Sequence, residues 1–190
     1  IQVRIPDWKD DISLWTSTIR AHPSPYSHGG LGNALRSDGQ PEAALSHFIL
    51  AIDDPLPNRE VCPQLVGTAL VLGDPWGALQ LGAVAEEEKG CGKGPRAAVF
   101  HANLALASGW TGQVDEAVNR LSKVRELGSP SPELCSRVVI ALKQSGQIAG
   151  VARNQESLRE TGCMEAEDAG QFAGEIASSL VLVGQWEKAI

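Results

Sequence analysis

The sequence has few aromatic residues, an excess of acidic over basic residues, and no long apolar run. Aromatic residues make up 5% of the 190 residues, whereas Ala and Leu are frequent, so the composition favours helices packed through small residues over a β-sandwich core. With 23 acidic and 16 basic residues the net charge is −7. This charge argues against a surface for nucleic acid, because such domains are usually basic. It also disfavours binding to anionic membrane surfaces, which attract basic clusters.

No stretch of about 18 apolar residues is present, so we expect no direct membrane insertion of this fragment. The opening residues 1–8 contain no hydrophobic signal core. The chain begins at Ile1 without Met and stops at Ile190. We therefore expect a piece of a longer protein, whose targeting information lies elsewhere.

The four cysteines lack the CxxC spacing of zinc and thioredoxin-type redox sites. Cys62 and Cys135 fall at equivalent places in a repeat described below, where a small apolar residue is expected. Cys91 and Cys163 fall in loops two repeats apart, too far to bond to each other. The sequence therefore predicts four free thiols.

The sequence also lacks a recognisable set of metal ligands or catalytic groups. His28 and His101 occupy equivalent repeat positions 73 residues apart and cannot share an ion, so we interpret both as helix-packing residues. The segment 90–95 resembles a phosphate-binding loop only superficially, because Gly94 follows Lys93 where Ser or Thr is required. We expect no metal, no cofactor and no enzymatic activity in this chain.

What the sequence does contain is a glycine followed five residues later by a small or β-branched residue. The gaps between successive glycines are 34, 39, 34 and 38 residues, a period typical of stacked helix–turn–helix units. The five pairs are Gly39/Ala44, Gly73/Ala78, Gly112/Ala117, Gly146/Val151 and Gly184/Ala189.

The first unit shows how each glycine separates two amphipathic helices. Before Gly39, Leu31 and Leu35 fall on one helical stripe, and after it Ala44 and Phe48 fall on another. Glycine readily adopts the left-handed backbone conformation that is common just after the end of a helix. A separate amphipathic helix is predicted before this unit, over residues 8–22.

The unit resembles the tetratricopeptide repeat (TPR). The matching positions in unit one are His28, Leu31, Gly32, Leu35, Ala44, Phe48 and Ala51. The resemblance implies an all-α, right-handed superhelical solenoid, in which small residues at Gly32, Ala105 and Ala177 let helices approach closely. It also identifies Gln155 as a departure, since the family places a large apolar residue there. We therefore expect one domain over 1–190, with a leading helix at 8–22, hairpins at 25–58, 59–97, 98–131 and 132–169, and an incomplete fifth repeat at 170–190.

In this family the first helices of the hairpins line a concave groove that receives a peptide or a helix of a partner protein. The resemblance therefore implies a protein-interaction scaffold. A clamp for a C-terminal carboxylate is not expected, because only Asn33 matches that pattern and Gly67 stands at the corresponding position of the second repeat. The predicted groove residues are Asn33, Arg36, Leu70, Leu106, Trp110, Ile140 and Lys143.

Two alternatives stay open. Residues 7–15, followed by a proline and residues 31–35, resemble the segment after the last membrane helix in bacterial glycosyltransferase-like membrane proteins with TPR tails. On that interpretation the chain is an extracytoplasmic accessory domain and is periplasmic; otherwise it is cytoplasmic. The third hypothesis is self-association through the incomplete fifth repeat, which is expected to expose Leu180, Leu182 and Ile190.

Overall fold

The computed structural model describes residues 9–94, 96–128, 130–163 and 170–189. Contacts divide the chain into two compact units, residues 1–93 and residues 94–190, and each is described by itself. Helices make up the regular structure of the described residues in both units. Unit 1 contains α1 (Asp11–Ala21), α2 (Pro25–Ser37), α3 (Pro41–Asp53), α4 (Cys62–Val71) and α5 (Pro75–Lys89). Unit 2 contains α6 (Ala97–Trp110), α7 (Val114–Leu127), α8 (Pro132–Gln144), α9 (Ile148–Arg153), α10 (Gln155–Leu158) and α11 (Gly170–Leu182).

The turn inside each hairpin is built around the repeating glycine. All five glycines have a positive φ of 75° to 86°, which a residue with a Cβ adopts only at a cost. The N–H of the residue after each glycine donates to a carbonyl five residues earlier, as from Gln40 to Leu35 at 2.9 Å and from Gln147 to Leu142 at 2.8 Å. These bonds satisfy carbonyls left open at the end of the first helix. The left-handed glycine predicted from the sequence is therefore confirmed.

Close helix contact in unit 1 depends on glycine in α2. A Cβ added to Gly32 would lie 2.6 Å from the ring of Phe48, which is fully buried on α3. Two residues earlier in α2, on another side of the helix, the indole of Trp15 occupies the space beside Gly30 and brings α1 against α2. Trp15 also meets Tyr26 edge to face at 5.6 Å between ring centroids. The predicted role of Gly32 as a close-approach position is confirmed.

Unit 2 has a continuous core that α6, α7, α8 and α11 share. Phe100, Leu121, Leu142 and Phe172 are each fully buried, one from each of these helices. The second helix of the fourth hairpin is interrupted at Asn154, between α9 and α10. The interruption lies next to Gln155, where the sequence departs from the repeat pattern, so this helix lacks the large apolar side chain that would pack its middle.

The prediction of four free thiols is wrong. Cys62 bonds to Cys91 and Cys135 bonds to Cys163, with Cα–Cα distances of 5.7 and 5.9 Å. The sequence argument considered only bonds between cysteines of different repeats, whereas each of the two bonds lies within one hairpin. Because the two helices of a hairpin are antiparallel, the start of the first helix lies beside the end of the second, and each disulfide joins these two ends.

One further expectation is corrected at the fifth repeat. The sequence predicts that Leu180 is exposed, but it is fully buried because its helix, α11, is covered by α8 and α9. Leu182 is 65% exposed, and Ile190 lies outside the described residues. Self-association through this repeat stays a prediction. Trp8, predicted to begin the leading helix, also lies outside the described residues.

Candidate binding surface

Three of the predicted groove residues lie in unit 1. Asn33 and Arg36 lie one turn apart on α2, and Leu70 lies near the end of α4. Arg36 is exposed, while Asn33 and Leu70 are half-buried. Both helices are the first helices of their hairpins, as the repeat register predicts. This part of the surface offers one amide, one cation and one apolar side chain.

The other four residues lie in unit 2, on α6 and α8. The two helices approach closely at Gly109, where an added Cβ would lie 2.9 Å from Cβ of Ala141. The adjacent Trp110 is 41% exposed, although it is a large aromatic side chain at the end of a helix. Leu106 is only 6% exposed, because it packs inside the unit, and therefore offers little contact area to a partner.

Lys143 forms an ion pair that crosses from α8 to α11. Its Nζ lies 2.5 Å from Oε2 of Glu175 and donates to Oγ of Ser178 at 2.8 Å. The lysine and glutamate side chains are 21% and 24% exposed. The positive charge predicted for this surface is thus balanced within the chain. The remaining half-buried residue, Ile140, adds apolar surface on the same helix.

Two histidine contacts at equivalent hairpin positions were not predicted. In the first hairpin, Nδ1 of His28 lies 2.9 Å from Nδ1 of His47, with the rings stacked at 5.2 Å between centroids. Burial, and to a lesser extent the charge of His28, lowers the pKa of His47. In the third hairpin, Nδ1 of His101 lies 3.1 Å from Nη1 of Arg120. Both pairs are 19 residues apart, which is the signal in the sequence that could have revealed them.

Neither pair belongs to a larger ligand set. Among the residues that the structure describes, no three His, Cys, Asp or Glu side chains are grouped so that they could hold a metal ion. Within the same residues, no helix combines the length and apolar character needed to cross a bilayer.

No protein-family model matches this chain, and no curated protein sequence matches it. Solved structures do resemble it. PilF of Pseudomonas aeruginosa superposes with a TM-score of 0.60 at 14% identity, over 92% of this chain and 76% of its own. A thermophilic TPR protein of Thermus thermophilus gives a TM-score of 0.49 at 19% identity, over 87% of this chain and 86% of its own. The fold is that of TPR proteins.

The fold determines which helices carry the candidate residues. The described residues of each unit form helical hairpins, as the sequence predicted. Within each unit, the predicted residues lie on the first helices of the hairpins. Whether those seven residues contact a partner stays a prediction.

Proposed function

We propose that this chain is a protein-interaction module that binds a peptide or helix of a partner protein. The proposed contact surface is formed by the first helices of the hairpins, including Asn33, Arg36 and Leu70 in unit 1. The observation that carries the proposal is the exposure of Trp110 on α6, which is the first helix of its hairpin. Exposed tryptophan is costly to leave in water and is enriched among residues that dominate interfaces.

The charge of the surface indicates which kind of partner suits unit 2. Lys143 is neutralised by Glu175, so the cation is not available as a separate anchor for a carboxylate or phosphate. Trp110 and Ile140 offer apolar contact on neighbouring first helices. We therefore expect binding in unit 2 to come mainly from buried apolar area and to depend weakly on salt. Catalysis, if the full protein has any, would come from other parts of it.

Affinity capture with the full-length protein tests this proposal, with the variant Trp110→Ala compared against the native protein. The matched control is Asn119→Ala, an exposed position on the second helix α7. We expect Trp110→Ala to reduce recovery of the specific partner at least tenfold, and the control to leave recovery unchanged. Equal recovery of the partner with the native protein and both variants would contradict a contact surface on the first helices.

The two disulfides favour one of the alternative interpretations. Structural disulfides form and persist in oxidising compartments and are rare in the cytosol. We infer that the module works outside the cytosol, as an extracytoplasmic accessory domain would. The likeness of its opening segment to the tails of glycosyltransferase-like membrane proteins supports the same location.

Thiol labelling in intact cells tests this location. Labelling with a maleimide reagent before and after reduction counts free and bonded cysteines. We expect no labelling at the four cysteines until a reductant is added. Labelling of all four without reductant would contradict the oxidising compartment but leave the interaction surface untouched. Long apolar spans encoded before Ile1 would further support the membrane-protein interpretation, and another helical repeat there would oppose it.

A further inference from the structure

A second surface of unit 1 carries an inference beyond the proposed first-helix surface. The second helices α3 and α5 form the walls of an open groove of about 380 Å³, and Leu65 of α4 lies at its floor. The walls are apolar, with Ile49 and Ile52 from α3 and Leu81 and Val84 from α5. Ile49 is 40% and Val84 is 52% exposed. The volume lies near the lower end of the range for ligand pockets, roughly 300–1,000 Å³.

Unit 2 shows that the fold does not require apolar side chains at this place. A shift of 73 residues relates the two units, carrying Gly39 to Gly112 and Gly73 to Gly146. The equivalent groove between the second helices of unit 2 is lined mainly by polar residues, with Val118 as an apolar member. The positions of Ile49, Ile52, Asp53 and Val84 correspond there to Ser122, Arg125, Glu126 and Ser157, all of which line that groove.

The rim of the unit 1 groove is acidic. Asp53 lies at the end of α3 with its side chain 82% exposed. Asp74 lies at the start of α5, where its carboxylate accepts a hydrogen bond of 2.8 Å from the N–H of Gly77 and is thereby held in place. Lys89 contributes the cation of the lining, and its Nζ is already 3.8 Å from the Asp53 carboxylate. Lys89 thus compensates Asp53, and Asp74 leaves the lining with a net charge of −1, which complements one cationic side chain of a partner.

The disulfide of unit 1 holds this groove in shape. It joins Cys62, at the start of the floor helix α4, to Cys91, which follows the wall helix α5. The N–H of Cys91 also donates to the carbonyl of Ala85 at 3.0 Å. Floor and wall are therefore fixed before a ligand arrives, and a preorganised site loses less conformational entropy on binding.

We propose that the groove between α3 and α5 binds a short amphipathic segment of a partner protein. Two or three apolar side chains of that segment lie against Leu65, Leu81 and Val84. A lysine or arginine side chain beside them lies near Asp74. The walls of the site are second helices, so it is distinct from the first-helix surface proposed above.

A random library of 16-residue peptides displayed on phage, selected on the intact oxidised protein, tests this inference. We expect enrichment of peptides that combine spaced apolar residues with Lys or Arg. Fluorescence anisotropy of a selected peptide then gives its affinity for the native protein and for Val84→Ser, which places the unit 2 type of residue in the groove. We expect at least tenfold weaker binding to V84S and twofold to fivefold weaker binding to Asp74→Asn at low salt, since Asn retains the helix cap.

The matched control is Val71→Ser, because Val71 is also an exposed valine of unit 1 but lies on the first helix α4. Binding to V71S within twofold of native supports the groove. A selected peptide that binds V84S as tightly as native protein overturns the proposal, as does a selection that enriches only acidic peptides or none. Dimerisation that V84S abolishes, measured by sedimentation, would assign the groove to a second copy and also overturn it. Circular dichroism of V84S verifies that the half-exposed substitution leaves the fold intact.

Discussion

Removing the disulfide between Cys62 and Cys91 tests the hairpin arrangement with a magnitude that follows from the structure. The bond closes a loop of 29 residues, and in the chain-entropy account a loop of that length stabilises the folded state by about 3.6 kcal/mol. The double variant Cys62→Ala, Cys91→Ala should therefore lose about that amount from the free energy of unfolding. Truncation of the buried side chain of Cys62 adds to the loss rather than offsetting it.

Urea unfolding measures this loss. With a denaturant slope of about 2 kcal/mol per M, the midpoint of unit 1 should fall by about 2 M. Hydrogen exchange read by mass spectrometry should assign the lost protection to residues 9–93 of unit 1. The matched variant Cys135→Ala, Cys163→Ala opens a loop of 28 residues in unit 2, so the same arithmetic predicts an equal loss there. A midpoint shift below about 0.5 M, or peptide mapping that shows a different pairing, would refute the reasoning.

Three further predictions concern the turns, the core and the histidine pair. Gly39→Ala should destabilise the protein by about 1–2 kcal/mol in thermal unfolding because its φ is +77°, whereas Gly174→Ala, a helical glycine with nothing near its Cβ position, should stabilise by about 0.5–1 kcal/mol. Gly32→Ala should cost about 1–3 kcal/mol in the same assay, since the new Cβ meets a buried ring; an unchanged melting temperature would contradict the close contact. The pKa of His47 is lowered in the folded protein, so as the pH falls the unfolded chain takes up a proton at this residue before the folded chain does. The free energy of unfolding of unit 1 should therefore fall as the pH drops below about 6.5. His47→Gln should flatten that dependence relative to native protein in urea midpoints measured at pH 7.5 and 5.5, and equal slopes would show that His47 does not contribute.

The sequence predicted the parts of the fold that depend on local chemistry. No other residue adopts a positive φ as readily as glycine, so each hairpin turn carries one. The regular spacing of these glycines therefore revealed the repeat. The close approach at Gly32 followed from the same register, because a missing side chain on one helix must be filled by a large one on the next.

The sequence did not predict contacts between residues that are far apart in the chain when the residue type suits more than one role. Lys143 fits an exposed groove cation as well as a partner for Glu175, which is 32 residues away. The buried Cys62 fits an apolar packing position as well as a disulfide. The groove at Val84 was missed for a different reason, since the family resemblance directs attention to first helices and this groove lies between second helices.

Comparison of the two units separates what the fold requires from what it leaves free. Histidine at 28 and 101 and cysteine at 62 and 135 each recur after 73 residues, and both cysteines form the same kind of hairpin disulfide. Features shared in this way serve packing and closure of a two-hairpin unit. Ile49 and Val84 are not shared, since serine stands at both equivalent positions of unit 2 and that unit still forms its core. The groove of unit 1, which we propose as a docking site, therefore differs from its counterpart in unit 2 by apolar side chains that the fold does not require.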